Sequence, residues 1–513
     1  MSLPFKTSPG PDMKLFWACF IALLATSFVF GVRAATIVDL QKAFTLTEVE
    51  KGNINGAGMW PFAISIIFFS LIIDRIGYKA VALFAMACHI VSLVLTLTAT
   101  GYKSFYWATI LVAVANGTVE SFINPVIATV FNKQKAKWLN ILHAGWPAGM
   151  ALGALSCAAL PETKLFFDAT WKFHFALCFI PVAAYAVLML PRTFPVNERV
   201  AAGVSYRDMI KEVGAVGAFM IGALLFVAIM QMCAIPPSLA TTLAAGAVAA
   251  LVTGIYTRSL GNTLFIMVLI IIGPLATTEL GTDSWMPDLL KLSGPPVPHF
   301  EIWVFIYTSV IMTILRFGAG PVVERFSPIG MLVIGTAIAI GGLLFLSTST
   351  GYVILAATTV YALGKTFLWS TTLGMTSEQF PKGGALTLNG VSAMGVLFLG
   401  VLGNPLIGYV QDVDQVAQVK QEQPAIYQKI QGEPKPSFLG MTPSLDQSKI
   451  QTLTAPEAAA LEGVQAICKR HTFMYVAALP VFMFFCFLGL FLYFKRKGGY
   501  KPVHIDEVAA PVY

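Results

Sequence analysis

Three residues in one apolar stretch carry the first recognisable chemistry: Asn116, Glu120 and Asn124, spaced by four. That spacing places a carboxylate between two amides on one face of a helix. A second stretch repeats the arrangement with a cation, as Tyr361, Lys365 and Trp369. Arg33 and the couple Glu279 and Asp283 add a further cation and two further carboxylates inside apolar runs. A carboxylate can take up and release a proton, and an ammonium or guanidinium can pair with it or hold an anion. An ionisable group placed in lipid costs about 3 kcal/mol or more unless it is paired or hydrated, so each is a functional candidate by default.

The elements that must position these residues are membrane helices. Of the 513 residues, 57% are hydrophobic and 12% charged, where a soluble domain carries about 25% charged residues. The composition is that of an all-α integral membrane protein in contact with the lipid bilayer. Apolar runs of about twenty residues, the length that crosses the hydrocarbon core, recur about fourteen times. Six begin near Met13, Asn53, Ala80, Phe105, Trp138 and Phe173, two plain runs cover Val213 to Cys233 and Leu239 to Tyr256, and six more begin near Thr263, Ile302, Ile329, Tyr352, Ala385 and Phe473. The expected organisation is a six-helix half over 13–192, a cytoplasmic linker over 193–212, two inserted helices over 213–257, a second six-helix half over 262–495 and a cytoplasmic tail over 496–513. Residues 411–470 form a long external segment, Gln-rich and Pro-punctuated, expected to be partly disordered apart from a capped helix start at Thr454-Ala-Pro-Glu457.

Basic residues favour the cytoplasmic side, and with the N-terminus inside they collect in the inner loops: Arg75, Lys79, Lys133, Lys135, Arg192, Arg199, Arg258, Arg325 and the Lys495-Arg496-Lys497 cluster. Both termini are therefore expected in the cytoplasm, with the protein multi-pass in the plasma (inner) membrane. The formal charge of +7 follows from this bias and gives no reason to expect nucleic acid. The seven cysteines lie mostly inside apolar runs and read as small buried side chains. No phosphate-cradling Gly-Lys-Ser/Thr loop and no metal-ligand spacing of histidines occurs, so ATP hydrolysis, a resident metal, cofactors and enzyme chemistry are not expected.

A repeat links the outer sixes. Ser70, Asp74, Arg75, Gly77 and Lys79 follow the second run, and Gly320, Glu324 and Arg325 follow its later counterpart. In both, a small residue lies four positions before an acid and arginine pair. The acid is placed to meet the N-terminus of the next helix, as a latch between helices that separate and rejoin.

The segment from Asp74 to Lys79 resembles the signature of the major facilitator superfamily between its second and third helices, with Ser70 where Gly is usual. Glu324-Arg325 resembles the degenerate second copy. The resemblance covers nearly the whole chain and implies two six-helix halves related by a pseudo-twofold axis, with two inserted helices, a central substrate site and alternating access. Glu120-Ser-Phe-Ile-Asn124-Pro125 followed by Trp138-Leu-Asn140 resembles the fucose, galactose and glucose proton-symporter branch. That branch carries an Asn-Asp pair in its first helix, where Arg33-Ala34 stands here.

The resemblance implies a secondary transporter working as a single chain, and the residues suggest its cargo. Asn116, Asn124, Asn140, His143 and Asn389 offer donors and acceptors suited to vicinal hydroxyls, and Trp60, Trp146, Tyr361 and Trp369 offer faces for a sugar ring. The coupling and charge network is read as Glu120, Arg33, Lys365, Glu279 and Asp283, with Glu120 opposed to Lys365 and Arg33 opposed to Glu279 and Asp283 across a cavity. Moving Glu120 between a dry site and one near a cation would alternate its affinity for a proton, driving symport of a monosaccharide with protons or another coupling ion. His89 and Arg316 are read as structural. The competing readings are a drug or metabolite efflux antiporter, a peptide symporter, and a nutrient sensor that keeps the fold without transport.

Overall fold

A computed structural model describes residues 12–505, apart from 47, 161, 234, 438 and 439. In hydrocarbon every backbone N–H and C=O must be satisfied within its own segment, so apolar runs of this length become helices. Among the described residues, fourteen helices are long and apolar enough to cross a membrane. In chain order they are Met13–Ile37, Asn53–Ile76, Tyr78–Leu97, Tyr102–Val130, Lys135–Ala159, Thr170–Met189, Tyr206–Met232, Leu239–Thr257, Thr263–Leu290, Phe300–Phe317, Ala319–Thr348, Val353–Gln379, Pro381–Glu422 and Ala455–Arg496; they are called the first to the fourteenth spans below.

Two spans start well before their apolar runs. The seventh begins at Tyr206, inside the charged link, and bends at Gly214, whose φ is +59°. The eleventh begins at Ala319 and bends at Ser327, which carries the acid and arginine repeat into helix. Long basic side chains reach back to water along a helix, so a helix need not stop where hydrophobicity does.

The chain forms two compact units. One holds the described residues up to Met209 together with 376–390 and 503–505; the other holds 210–375 and 391–502. The stretch joining the twelfth and thirteenth spans thus packs with the first six spans, a placement that the linear order of runs does not announce.

In the first unit the first and fifth spans approach closely through glycine. A β-carbon on Gly149 would strike the Leu24 carbonyl and the Ser27 hydroxyl, and one on Gly31 would strike the Met150 carbonyl. Small residues of this kind replace hydrophobic driving force with close backbone packing in lipid.

In the second unit two π-helical turns, Thr277–Gly281 and Leu399–Gly403, interrupt the ninth and thirteenth spans. They pack on each other, since a β-carbon on Gly403 would overlap the Thr277 side chain. The inserted eighth span is peripheral in this unit, with Val248, Leu251, Val252 and Ile255 all exposed.

The described residues of the segment 411–470 are folded, against expectation. The thirteenth span runs on to Glu422 and a helix over Ala455–Val476 leads into the last span. Between them lie a helix over Pro424–Ile430 and a two-stranded antiparallel hairpin pairing Lys435–Ser437 with Gly440–Thr442. Val416, Val419, Ile426, Ile430, Leu445, Leu461, Val464 and Cys468 form a separate small core. These apolar residues are too sparse in the sequence to outweigh its polarity, but rigid helices from the membrane bring them together. The capping box holds, with the Thr454 amide donating to Glu457 at 3.0 Å. Asp446 accepts from the hydroxyl and amide of Ser448, which holds its carboxyl below the usual range.

Candidate functional site

The fourth span carries the polar core of the first unit. Asn116 is 1% exposed, Glu120 3% and Asn124 not at all. Asn124 donates its Nδ2 to Glu120 Oε2 at 2.6 Å, and its Oδ1 pairs with His143 Nε2 at 2.9 Å. Since the amide nitrogen points at the carboxylate, the amide oxygen must accept, so His143 presents a protonated Nε2. The result is a buried chain from carboxylate to amide to imidazole.

A turn away, Asn116 Oδ1 meets His89 Nε2 at 2.8 Å, and His89 Nδ1 meets the Tyr185 hydroxyl at 2.8 Å. Here too the amide oxygen takes the imidazole N–H. His89 is therefore fully occupied in holding Asn116 to the third and sixth spans, which agrees with its structural reading. Asn389 donates to the Ser121 carbonyl at 2.7 Å, and its own Oδ1 is buried without a partner among the described residues. The indole N–H of Trp146 is likewise buried and unpartnered there. Asn140 turns back to the Ala136 carbonyl at 2.8 Å. Trp60 opens a helix one residue ahead of Pro61.

The second unit holds two further embedded pairs. Arg316 and Glu279 are joined at 2.5 Å, with side chains 1% and 2% exposed. They sit at a break in the twelfth span, where a helix over Val353–Lys365 gives way to one over Leu368–Gln379. A broken helix leaves carbonyls and amides without partners. Arg316 Nε donates to the Thr366 carbonyl at 2.7 Å, and Glu279 Oε2 accepts from the Trp369 amide at 2.9 Å. The ion pair thus satisfies both ends of the break. Lys365, the last residue of the first piece, pairs with Asp283 and lies 5.1 Å over the Tyr361 ring. Tyr361 in turn bonds the Thr282 hydroxyl at 2.5 Å and the Thr278 carbonyl, and so is committed to helix packing.

These partners add contacts to the expected network. Lys365 is held by Asp283 and Glu279 by Arg316 in the second unit, and Glu120 is held by the Asn124 amide in the first. Helical spacing reports which residues share a face, but not which neighbouring helix that face meets. Arg316, read from the sequence as structural, is the ion-pair partner of Glu279, and its signal in the sequence is an ionisable residue inside an apolar run.

The latch is also re-partnered. Asp74 binds Arg199 of the short helix Glu198–Ala201 at 2.5 Å, with both side chains buried, rather than the start of the next helix. Asn197 fixes that helix by donating to the Tyr78 hydroxyl at 2.8 Å. Arg75 stacks over Tyr206 at 5.2 Å, Lys79 reaches the Leu190 carbonyl at 3.1 Å, and Gly77 turns the chain with φ of +83°. Ser70 bonds back to the Ile66 carbonyl. In the second copy Gly320 is buried, while Glu324 and Arg325 are exposed and form no ion pair among the described residues. Arg199 was visible in the sequence only as one more basic loop residue.

Comparison with known proteins agrees with this architecture. The profile of the Major Facilitator Superfamily matches residues 16–287. A search of curated sequences gives no match. Among solved structures, the E. coli fucose:proton symporter FucP superposes with a TM-score of 0.59 at 14% identity, covering 93% of this chain and 99% of its own. The human organic anion transporter MFSD10 (TETRAN) gives 0.58 at 12% identity, covering 93% and 100%. A bacterial homologue of the human drug peptide transporters gives 0.58 at 12% identity, covering 94% and 99%. At such identities the likeness is one of fold. The family consists of transporters that bind small molecules and not of enzymes, and this multi-pass membrane protein belongs to the Major Facilitator Superfamily.

Proposed function

We propose that the protein is a secondary active transporter that carries a small polar solute of monosaccharide size by proton-coupled symport with alternating access. The observation that carries this reading is the buried chain of Glu120, Asn124 and His143. A carboxylate held by a neutral amide, with no ion-pair partner among the described residues, can accept a proton without breaking a salt bridge. The free polar atoms of Asn389 and Trp146 support a polar cargo, since buried donors and acceptors left open in a protein are those a ligand fills. The fold shared with a fucose:proton symporter is compatible with the same reading.

The transporter works as a single chain in the plasma (inner) membrane with its termini in the cytoplasm. Glu120 takes a proton on the outside, the solute binds, the carrier reorients, and both leave inside. The test is uptake of labelled monosaccharides into vesicles containing the purified protein, with and without an inward proton gradient. Accumulation above equilibrium only when the gradient is present is expected; accumulation indifferent to it would remove proton coupling.

A further inference from the structure

Of the embedded charges singled out above, Glu120, Glu279, Asp283, Arg316 and Lys365 have the partners already described. Arg33 is 7% exposed and, among the described residues, makes no hydrogen bond and no ion pair. Its guanidinium lies 4.8 Å from the centre of the Phe30 ring. It also rests on Gly58, so closely that any side chain there would collide with Nη1, Nη2 and Cζ. The other neighbour of Phe30 is Trp146, with ring centres 5.6 Å apart, and Trp146 brings the buried, unpartnered indole N–H. Two donors, one of them charged, therefore share a single aromatic ring and have no acceptor among the described residues. On the same helix, Asp39 is exposed.

A guanidinium withdrawn from water without a counter-charge is strongly unfavourable. A carboxylate matches its planar fork with two parallel hydrogen bonds. We propose that Arg33 is the receptor for a carboxylate on the transported solute, with the Trp146 N–H as a second donor, so that the cargo is an acidic monosaccharide such as a hexuronate or aldonate. This deepens the symport reading above and rests on it for the coupling step.

Charge counting gives the consequence. In the empty carrier with Glu120 ionised, Arg33, Arg316 and Lys365 balance Glu120, Glu279 and Asp283. Adding one monoanion at Arg33 and one proton at Glu120 leaves that balance unchanged, whereas a neutral sugar with a proton leaves one positive charge in excess. Among the described residues, the side chains bonded to Glu120 and to its neighbours on the helix are neutral: Asn124 and Asn116 on its own span, His143 on the fifth, His89 on the third, Ser65 on the second and Asn389. Transport of the acid is therefore electroneutral, and membrane potential, which acts only on net charge moved, does not drive it.

Thermal unfolding of the purified full chain with D-glucuronate, D-gluconate or D-glucose tests the site, because a bound ligand raises apparent stability. Both acids should stabilise the wild type and glucose should not. R33Q should lose the response to both acids. G58A, which keeps the charge but pushes the guanidinium off its seat, should weaken acid binding about ten-fold, the scale of one charge-assisted hydrogen bond. Glucose stabilising as well as the acids, or an undiminished response in R33Q, overturns the proposal. In vesicles of the wild type, glucuronate uptake should follow an imposed pH gradient and ignore an imposed potential; uptake driven by potential overturns the carboxylate assignment. Acid stabilisation that depends on Arg33, together with no gradient-driven uptake of any sugar, would uphold the site and reject the symport reading.

Discussion

Glu279 and Arg316 close a break in a helix to which neither belongs. Their carboxylate and guanidinium meet at 2.5 Å and reach on to the Trp369 amide and the Thr366 carbonyl. The π-helical turn that carries Glu279 and the interruption after Lys365 are two irregular segments tied by one ion pair. Irregular backbone at membrane depth persists where protein groups satisfy it, and such places absorb the bending of transporters.

R316M should therefore destabilise the protein by about 3–5 kcal/mol, the range for stranding a buried charge. E279Q/R316Q should recover part of the loss but not all, because the charge is removed while the break keeps only neutral partners. Unfolding of the purified variants in detergent measures this. A single variant as stable as the wild type would show that the pair does not staple the helix.

E120Q should bind solute but no longer accumulate it. Exchange of labelled for unlabelled solute across vesicles should continue, while gradient-driven uptake falls to equilibration. Asn124→Leu should lose more, since it strands both Glu120 and His143 at about 1–3 kcal/mol for each unsatisfied group. Full accumulation by E120Q would move the proton site elsewhere.

Asp74 and Arg199 offer a charge-reversal test of the latch. With side chains 7% and 6% exposed, either D74R or R199D alone places two like charges together and should reduce uptake about ten-fold or more, while D74R/R199D should restore a substantial part. No rescue in the double variant would mean that the two act separately.

The segment 411–470 should fold around its own small core. Ile430→Asp puts a carboxylate among Val419, Leu445 and Leu461 and should open residues 422–455 to limited proteolysis, while uptake remains. If the variant stays resistant, the helices alone hold this region together.

Much of the membrane architecture was legible in the chain. Hydrophobic runs near Met13, Asn53, Leu239 and Thr263 begin where the spans begin, and the capping box at Thr454 opens a helix as its pattern predicts. Asn116, Glu120 and Asn124 share a buried face as their spacing requires. The order of residues 411–470 was not legible, because its apolar side chains are scattered and become a core only when two long helices hold them at one height.

The pairing of the charges was decided only in three dimensions. Hydropathy is a property of one segment, so the sequence alone determines how many helices enter lipid and which ionisable residues go with them. Whether Lys365 meets Asp283 or Glu279 meets Arg316 depends on which helices are neighbours and where a helix breaks, and those contacts join residues separated by 82 and 37 positions. For the same reason Arg33 reads in sequence as one more embedded cation. That it has no ion-pair partner among the described residues emerges only in three dimensions.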